Sequence, residues 1–104
     1  MKKIKNEKCK HLIVDPDKKD SNYSDLIDYC IRKVPAQSLD GGLISSIIKI
    51  SAQLGKKEIE LDDVDYAVMV QLVKSATWGQ PGQIMPIETL KDIDRFITDV
   101  CNMD

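Results

Sequence analysis

Histidine and large aromatic residues are scarce in this sequence, which contains one histidine, one tryptophan and one phenylalanine among 104 residues. A catalytic Ser–His–Asp or Cys–His arrangement would have to use His11, which lies in a polar segment near the start of the chain. The sequence also lacks a Gly-x-x-x-x-Gly-Lys-[Ser/Thr] phosphate loop and a Gly-x-Gly-x-x-Gly dinucleotide motif. These absences predict a protein that is not an enzyme and that binds no cofactor.

The residues that could bind a metal are also few. Cys9 and His11 could contribute two ligands to a zinc site, but a structural zinc site takes four ligands. The other cysteines, Cys30 and Cys101, fall among apolar helix positions, where a free cysteine behaves as a small hydrophobic residue. The sequence therefore predicts no metal site.

Long hydrophobic runs are absent as well. The longest uncharged run, residues 75–87, contains glycine and proline and is too short and too polar to span a bilayer. No apolar segment of the kind found in signal peptides follows the basic first residues. Three cysteines without a framework spacing predict free thiols in a reducing, cytoplasmic compartment.

The charges are distributed unevenly along the chain. Residues 1–11 carry five lysines against Glu7, a net charge of +4, whereas the remaining residues carry ten basic and sixteen acidic side chains, a net charge of −6. We expect residues 1–11 to form a basic, flexible leader and residues 12–104 to form a single globular domain. An acidic domain is a poor surface for binding phosphate backbones.

One segment changes its hydrophobic period at a cluster of aspartates. Residues 58–61 alternate charged and apolar side chains, as in a short strand with one buried face, and a helical spacing begins at Val64. Asp62 or Asp63 is placed to accept hydrogen bonds from the first amides of that helix, so capping explains these aspartates without a metal. The β-prone run Leu12–Val14 is the expected partner strand.

Apolar residues recur at helical spacing in four segments, near residues 23–34, 40–54, 64–76 and 86–101. Asn22 or Ser21, and Asp40 or Ser38, are the expected N-caps of the first two helices. The second segment is apolar on more than one face, which predicts a central helix with Ile47 and Ile48 buried. The predicted fold is a single, small, mainly α domain of about four helices with a short two-stranded β element.

The loop between the third and fourth helices contains the residues most typical of a binding site. Trp78 is of a type enriched at interaction hot spots, and methionine suits adaptable contacts. We therefore predict partner binding by Trp78, Ile84 and Met85. The alternative is that Trp78 folds back and covers the core of a protein with few aromatic residues.

Several parts of the chain follow one another in a recognisable order: Leu54–Gly55, residues 58–65, Leu72–Val73, Trp78 and residues 93–100. This order resembles that of small phage and prophage proteins of unknown role. The resemblance covers about residues 23–101 and implies a part in virion assembly or host interaction rather than an enzyme. It implies a virion-associated location as the alternative to a cytoplasmic one.

These observations predict a non-catalytic protein–protein interaction module, with an assembly or accessory role in a phage or mobile element. The expected partner is another protein, a second copy of this chain included, and neither nucleic acid nor a membrane is expected. The alternative is a small regulatory nucleic-acid-binding protein that uses its lysine-rich N-terminus. Salt separates the two, because phosphate binding weakens as salt rises.

Overall fold

The computed structural model describes residues 1–12, 14, 20–79, 82 and 84–102. Within these residues, four α-helices and four short strands form one small domain, which confirms the predicted fold class. The strands are β1 (Lys2–Lys5), β2 (Lys8–Cys9), β3 (Ser21–Asn22) and β4 (Glu58–Leu61). The helices are α1 (Tyr23–Arg32), α2 (Gly41–Gln53), α3 (Asp63–Ser75) and α4 (Ile87–Cys101), with a 3₁₀ turn at Ala36–Ser38.

The predicted strand at Glu58–Leu61 is present as β4, but its predicted partner is wrong. β4 pairs antiparallel with β1, in a register that places Ile4 opposite Ile59. Leu12 and Val14 belong to no strand, and Ile13 lies outside the described residues. Side chains alternate between the two faces of a strand, so one face of the β1–β4 pair buries Ile4, Ile59 and Leu61.

The first eleven residues are not the solvated leader that their charge suggested. Ile4 is only 2% exposed, and Cys9 is fully buried. β2 pairs antiparallel with β3, just before α1. Asn6 joins this segment to the rest of the domain: its side-chain oxygen accepts a hydrogen bond from the backbone amide of Ser24 in α1, and its backbone amide donates to the Lys57 carbonyl just before β4. Residues 1–9 therefore pack as part of the domain, although their lysines stay in water.

The helix ends follow the predicted capping residues. Asn22 accepts from the Asp25 amide at the start of α1, and Asp40 accepts from the Leu43 amide at the start of α2. Asp62 accepts from the Asp65 amide at the start of α3. After α2, Gly55 has a φ of 90°, a conformation that glycine adopts at little cost. Local sequence thus determines where these elements begin and end.

The cap at α3 gives a test of this assignment. Replacing Asp62 with alanine removes the acceptor 2.8 Å from the Asp65 amide nitrogen. We expect the free energy of unfolding to fall by about 0.5–2 kcal/mol, which urea denaturation measures. Asp63→Ala, one position inside the helix, is the matched control. An equal loss in both variants would contradict capping by Asp62.

The central helix is α3, whereas the sequence had predicted this position for the second helix. α3 packs against each of the other three helices, and the Tyr66 hydroxyl donates to the Val100 carbonyl of α4 at 2.7 Å. In α2 only Ser46 and Ile50 are buried, Ile47 is half-buried and Ile48 is 63% exposed. The prediction that α2 is buried on more than one side is therefore wrong for this chain alone. The buried core consists of Ile4, Cys9, Leu12, Tyr23, Leu26, Ile27, Cys30, Ile50, Ile59, Leu61, Tyr66, Met69, Val73, Ile93, Phe96 and Val100.

Candidate interaction surface

The outer face of α2 is apolar and uncovered in the single chain. Ile44 is 44% exposed and Ile48 is 63% exposed, and the two lie one turn apart on the same side of the helix. Gly41 precedes them on this side, at the spacing i, i+3 and i+7. Leu39, just before the helix, is also exposed. We call Leu39, Gly41, Ile44 and Ile48 the α2 surface.

Charge is nearly absent from this helix. Lys49 is the single charged residue between Gly41 and Gln53. Ser45, Ser51 and Ala52 are exposed and small, so the isoleucines protrude above their neighbours. A surface of this kind is better suited to close contact with another apolar surface than to binding a charged ligand.

A groove lies beside the α2 surface, between α2, α3 and the segment that follows α1. Leu43 of α2 and Leu72 of α3 belong to its walls, and its volume is about 260 Å³. Leu43 and Ile44 point about 100° apart around the helix, so the groove lies on the side of α2 next to the α2 surface. Hot-spot side chains of a partner are commonly accommodated in such pockets. The groove is lined by Cys30, Lys33, Val34, Pro35, Ser38, Leu43, Val68, Gln71, Leu72, Ser75 and Ala76.

Trp78 packs against the core. Its ring stacks on Tyr29 at a centroid distance of 5.1 Å and makes a T-shaped contact with Phe96 at a centroid distance of 5.8 Å. The indole nitrogen is buried and has no hydrogen-bond partner among the residues that the structure describes. This geometry matches the alternative in which Trp78 folds back over the core.

The other two predicted binding residues face different environments. Ile84 is 91% exposed, whereas Met85 is partly buried against the core. Ile87 and Leu90 in the first turns of α4 are exposed, although they share a helical spacing with the buried Ile93. We call Ile84, Ile87 and Leu90 the α4 surface. The structure therefore does not bring Trp78, Ile84 and Met85 together as one exposed patch.

The thiols are poorly placed for nucleophilic chemistry. Burial raises the pKa of the Cys30 thiol to about 12 and also raises the pKa of the Cys101 thiol. Burial likewise raises the pKa of Cys9, although Arg95 opposes the shift by donating a hydrogen bond to the Cys9 sulfur at 3.4 Å. A thiol with a raised pKa supplies little thiolate, the reactive form.

His11 is exposed, and its backbone forms hydrogen bonds to side chains of α4. The His11 amide donates to the Asp92 carboxylate at 2.8 Å, and the His11 carbonyl accepts from the Thr89 hydroxyl at 3.0 Å. Among the described residues, no group of three histidine, cysteine or acidic side chains is arranged to hold a metal ion. Of the aspartates at the start of α3, Asp62 instead caps the helix by accepting a hydrogen bond from the Asp65 amide.

The chain matches no protein-family model, and comparisons with curated proteins and with solved structures found no match either. In the part of the chain that the structure describes, no helix is both long enough and apolar enough to cross a membrane.

Proposed function

We propose that this protein is a non-catalytic protein–protein interaction module that binds its partner through the α2 surface. The observation that carries the proposal is the exposure of Ile44 and Ile48 on a helix whose composition is that of a buried one. Fully burying one isoleucine side chain contributes about 1.5–3 kcal/mol, so covering this pair supplies a substantial part of a binding free energy.

The groove strengthens the choice of α2 over the α4 surface. Ile84, Ile87 and Leu90 are exposed beside charged neighbours such as Glu88 and Lys91. The α2 surface combines protruding isoleucines, little charge and an adjoining pocket of about 260 Å³. Interface centres are depleted of charged residues and depend on side chains that fill pockets.

The lysines of β1 give less support to the nucleic-acid alternative. β1 and β4 place Lys3 opposite Glu60 and Lys5 opposite Glu58. Lys3 forms an ion pair with Glu60 at 3.9 Å, and Lys5 lies 4.0 Å from Glu7. Phosphate binding depends on uncompensated positive charge, and nearby carboxylates reduce it.

The resemblance to small phage and prophage proteins is the basis for the wider part of the proposal. We propose an assembly or accessory role, in which the bound partner is a protein component of the same particle or pathway, a second copy of this chain included. The raised pKa values of all three cysteines support a role without nucleophilic catalysis.

Affinity capture with two matched variants tests the proposal. Ile48→Glu places a charge on the α2 surface, and Ile84→Glu makes the same change at a 91% exposed position on the α4 surface. Immobilised wild-type protein is expected to retain a partner from its native cells, Ile48→Glu to retain at least about tenfold less, and Ile84→Glu to retain as much as the wild type.

Circular dichroism must first show that both variants fold, which is expected because both side chains are exposed. Retention that survives Ile48→Glu but fails in Ile84→Glu would reject the α2 surface and favour the loop predicted from the sequence. Loss of binding at raised salt, with nucleic acid in the retained fraction, would instead support the alternative function.

A further inference from the structure

The α2 surface contains both a protrusion and a matching space. Ile48 protrudes at one end, and at the other end a Cβ atom added at Gly41 would have no other atom within 4 Å, apart from its chain neighbours and the nearby backbone of its own helix. Gly41 and Ile48 are equally distant along the helix from the point between Ile44 and Ser45. A two-fold axis at that point would place Ile48 of each copy over Gly41 of the other. Such self-complementarity is what an interface between two identical surfaces requires.

The charges along α2 favour an antiparallel arrangement. Asp40 caps the N-terminal end, and Lys49 lies in the C-terminal half of the helix. With the axis between Ile44 and Ser45, Asp40 of each copy lies opposite Lys49 of the other, and the helix dipoles are also opposed. The two Lys49 residues would lie about 14 Å apart along the axis, at 1.5 Å per residue, so they do not repel at close range.

From these observations we propose that the partner bound by the α2 surface is a second copy of this chain, with the two α2 helices packed antiparallel across a two-fold axis. The inference rests on the proposed function and specifies its partner. Ile44 of each copy lies beside the axis and packs against Ile44 of the other, and Ile48 occupies the space over Gly41.

The size of the surface sets the expected strength of this dimer. With the axis between Ile44 and Ser45, the two helices overlap over residues 41–48, about 12 Å in length and 10–12 Å in width, which gives a strip on the order of 100 Å² on each partner. A standard interface buries about 800 Å² on each partner. Leu39, just before α2, adds exposed apolar area. The dimer is therefore weak and forms as the protein concentration rises, with a Kd on the order of micromolar to millimolar.

Sedimentation equilibrium over a range of concentrations tests the proposal with the intact chain. The wild type is expected to pass from monomer to dimer, and both Ile48→Glu and Gly41→Leu are expected to raise the Kd at least about tenfold. Gly41→Leu is informative because leucine favours a helix more than glycine does. The substitution is therefore not expected to unfold α2, and a raised Kd in this variant reports on the contact at position 41. Ile84→Glu is the control and should leave the Kd unchanged.

Three results would overturn the inference. The first is a wild-type chain that stays monomeric up to about 1 mM. The second is a dimer that does not use α2, shown either by both α2 variants leaving it intact or by Ile84→Glu dissociating it. The third is a dimer that Ile48→Glu weakens but Gly41→Leu does not. The last result excludes the contact of Ile48 with Gly41. A monomeric wild type whose capture of a different protein is still lost in Ile48→Glu would reject the second copy and leave the proposed function standing.

Discussion

Replacing Phe96 with alanine is expected to reduce the free energy of unfolding by about 3–5 kcal/mol. Phe96 is fully buried, and its ring meets Tyr23 at 5.2 Å and Trp78 at 5.8 Å. The truncation leaves a cavity between α1, α4 and the segment that contains Trp78. Since small domains have a total stability of only about 5–15 kcal/mol, this is a large fraction of it.

Urea denaturation, followed by circular dichroism, measures this loss. Thr98→Ala, at an exposed position two residues further along α4, is the control and should change the stability by less than about 0.5 kcal/mol. Trp78 also reports on the site. Its fluorescence emission maximum should move to longer wavelength once the Phe96 ring no longer packs against the indole. A loss below about 1 kcal/mol in Phe96→Ala would contradict the aromatic cluster.

Replacing Ile4 with alanine is expected to reduce the free energy of unfolding by about 2–5 kcal/mol. The side chain is 2% exposed and lies opposite Ile59 in the β1–β4 pair, so its removal weakens both the core and the strand pairing. A flexible leader would not respond in this way, which makes the variant a direct test of how residues 1–9 pack.

Lys5→Ala, on the opposite face of the same strand, is the matched control and should change the stability by less than about 0.5 kcal/mol. The β1 strand would be dispensable if Ile4→Ala and Lys5→Ala unfolded at the same urea concentration as the wild type. In that case, deletion of residues 1–5 should not change the stability either. If Ile4 packs as the structure shows, the same deletion should be severely destabilising.

Local sequence predicted the helices and their caps because those features depend on nearby residues. Asn22, Asp40 and Asp62 each satisfy amides within three positions, so no tertiary information was needed to assign them. The partner of β4 is a long-range choice. Lys2–Lys5 contains one aliphatic residue among three lysines, too weak a signal to compete with Leu12–Val14, and its pairing is visible only in the fold.

The error about α2 has a different cause. Apolar residues around a helix indicate that its faces avoid water, but they do not tell whether the covering surface belongs to the same chain. Ile47 is half-buried within the domain, whereas Ile44 and Ile48 are left exposed. The pattern that wrongly predicted a central helix is thus the one that supports a contact surface. The packing of Trp78 could not be predicted from local sequence, because the rings it contacts, Tyr29 and Phe96, are distant in sequence.

The central claim is that the protein contacts its partner through Ile44 and Ile48, and isoleucine methyl NMR with a soluble paramagnetic agent tests it most directly. In dilute protein, the exposed methyl groups of Ile44, Ile48, Ile84 and Ile87 should all be broadened by the agent. In the complex, whether with a second copy or with a captured protein, the Ile44 and Ile48 signals should be protected while those of Ile84 and Ile87 stay broadened. Protection of Ile84 and Ile87 instead, or continued broadening of all four signals, would contradict it.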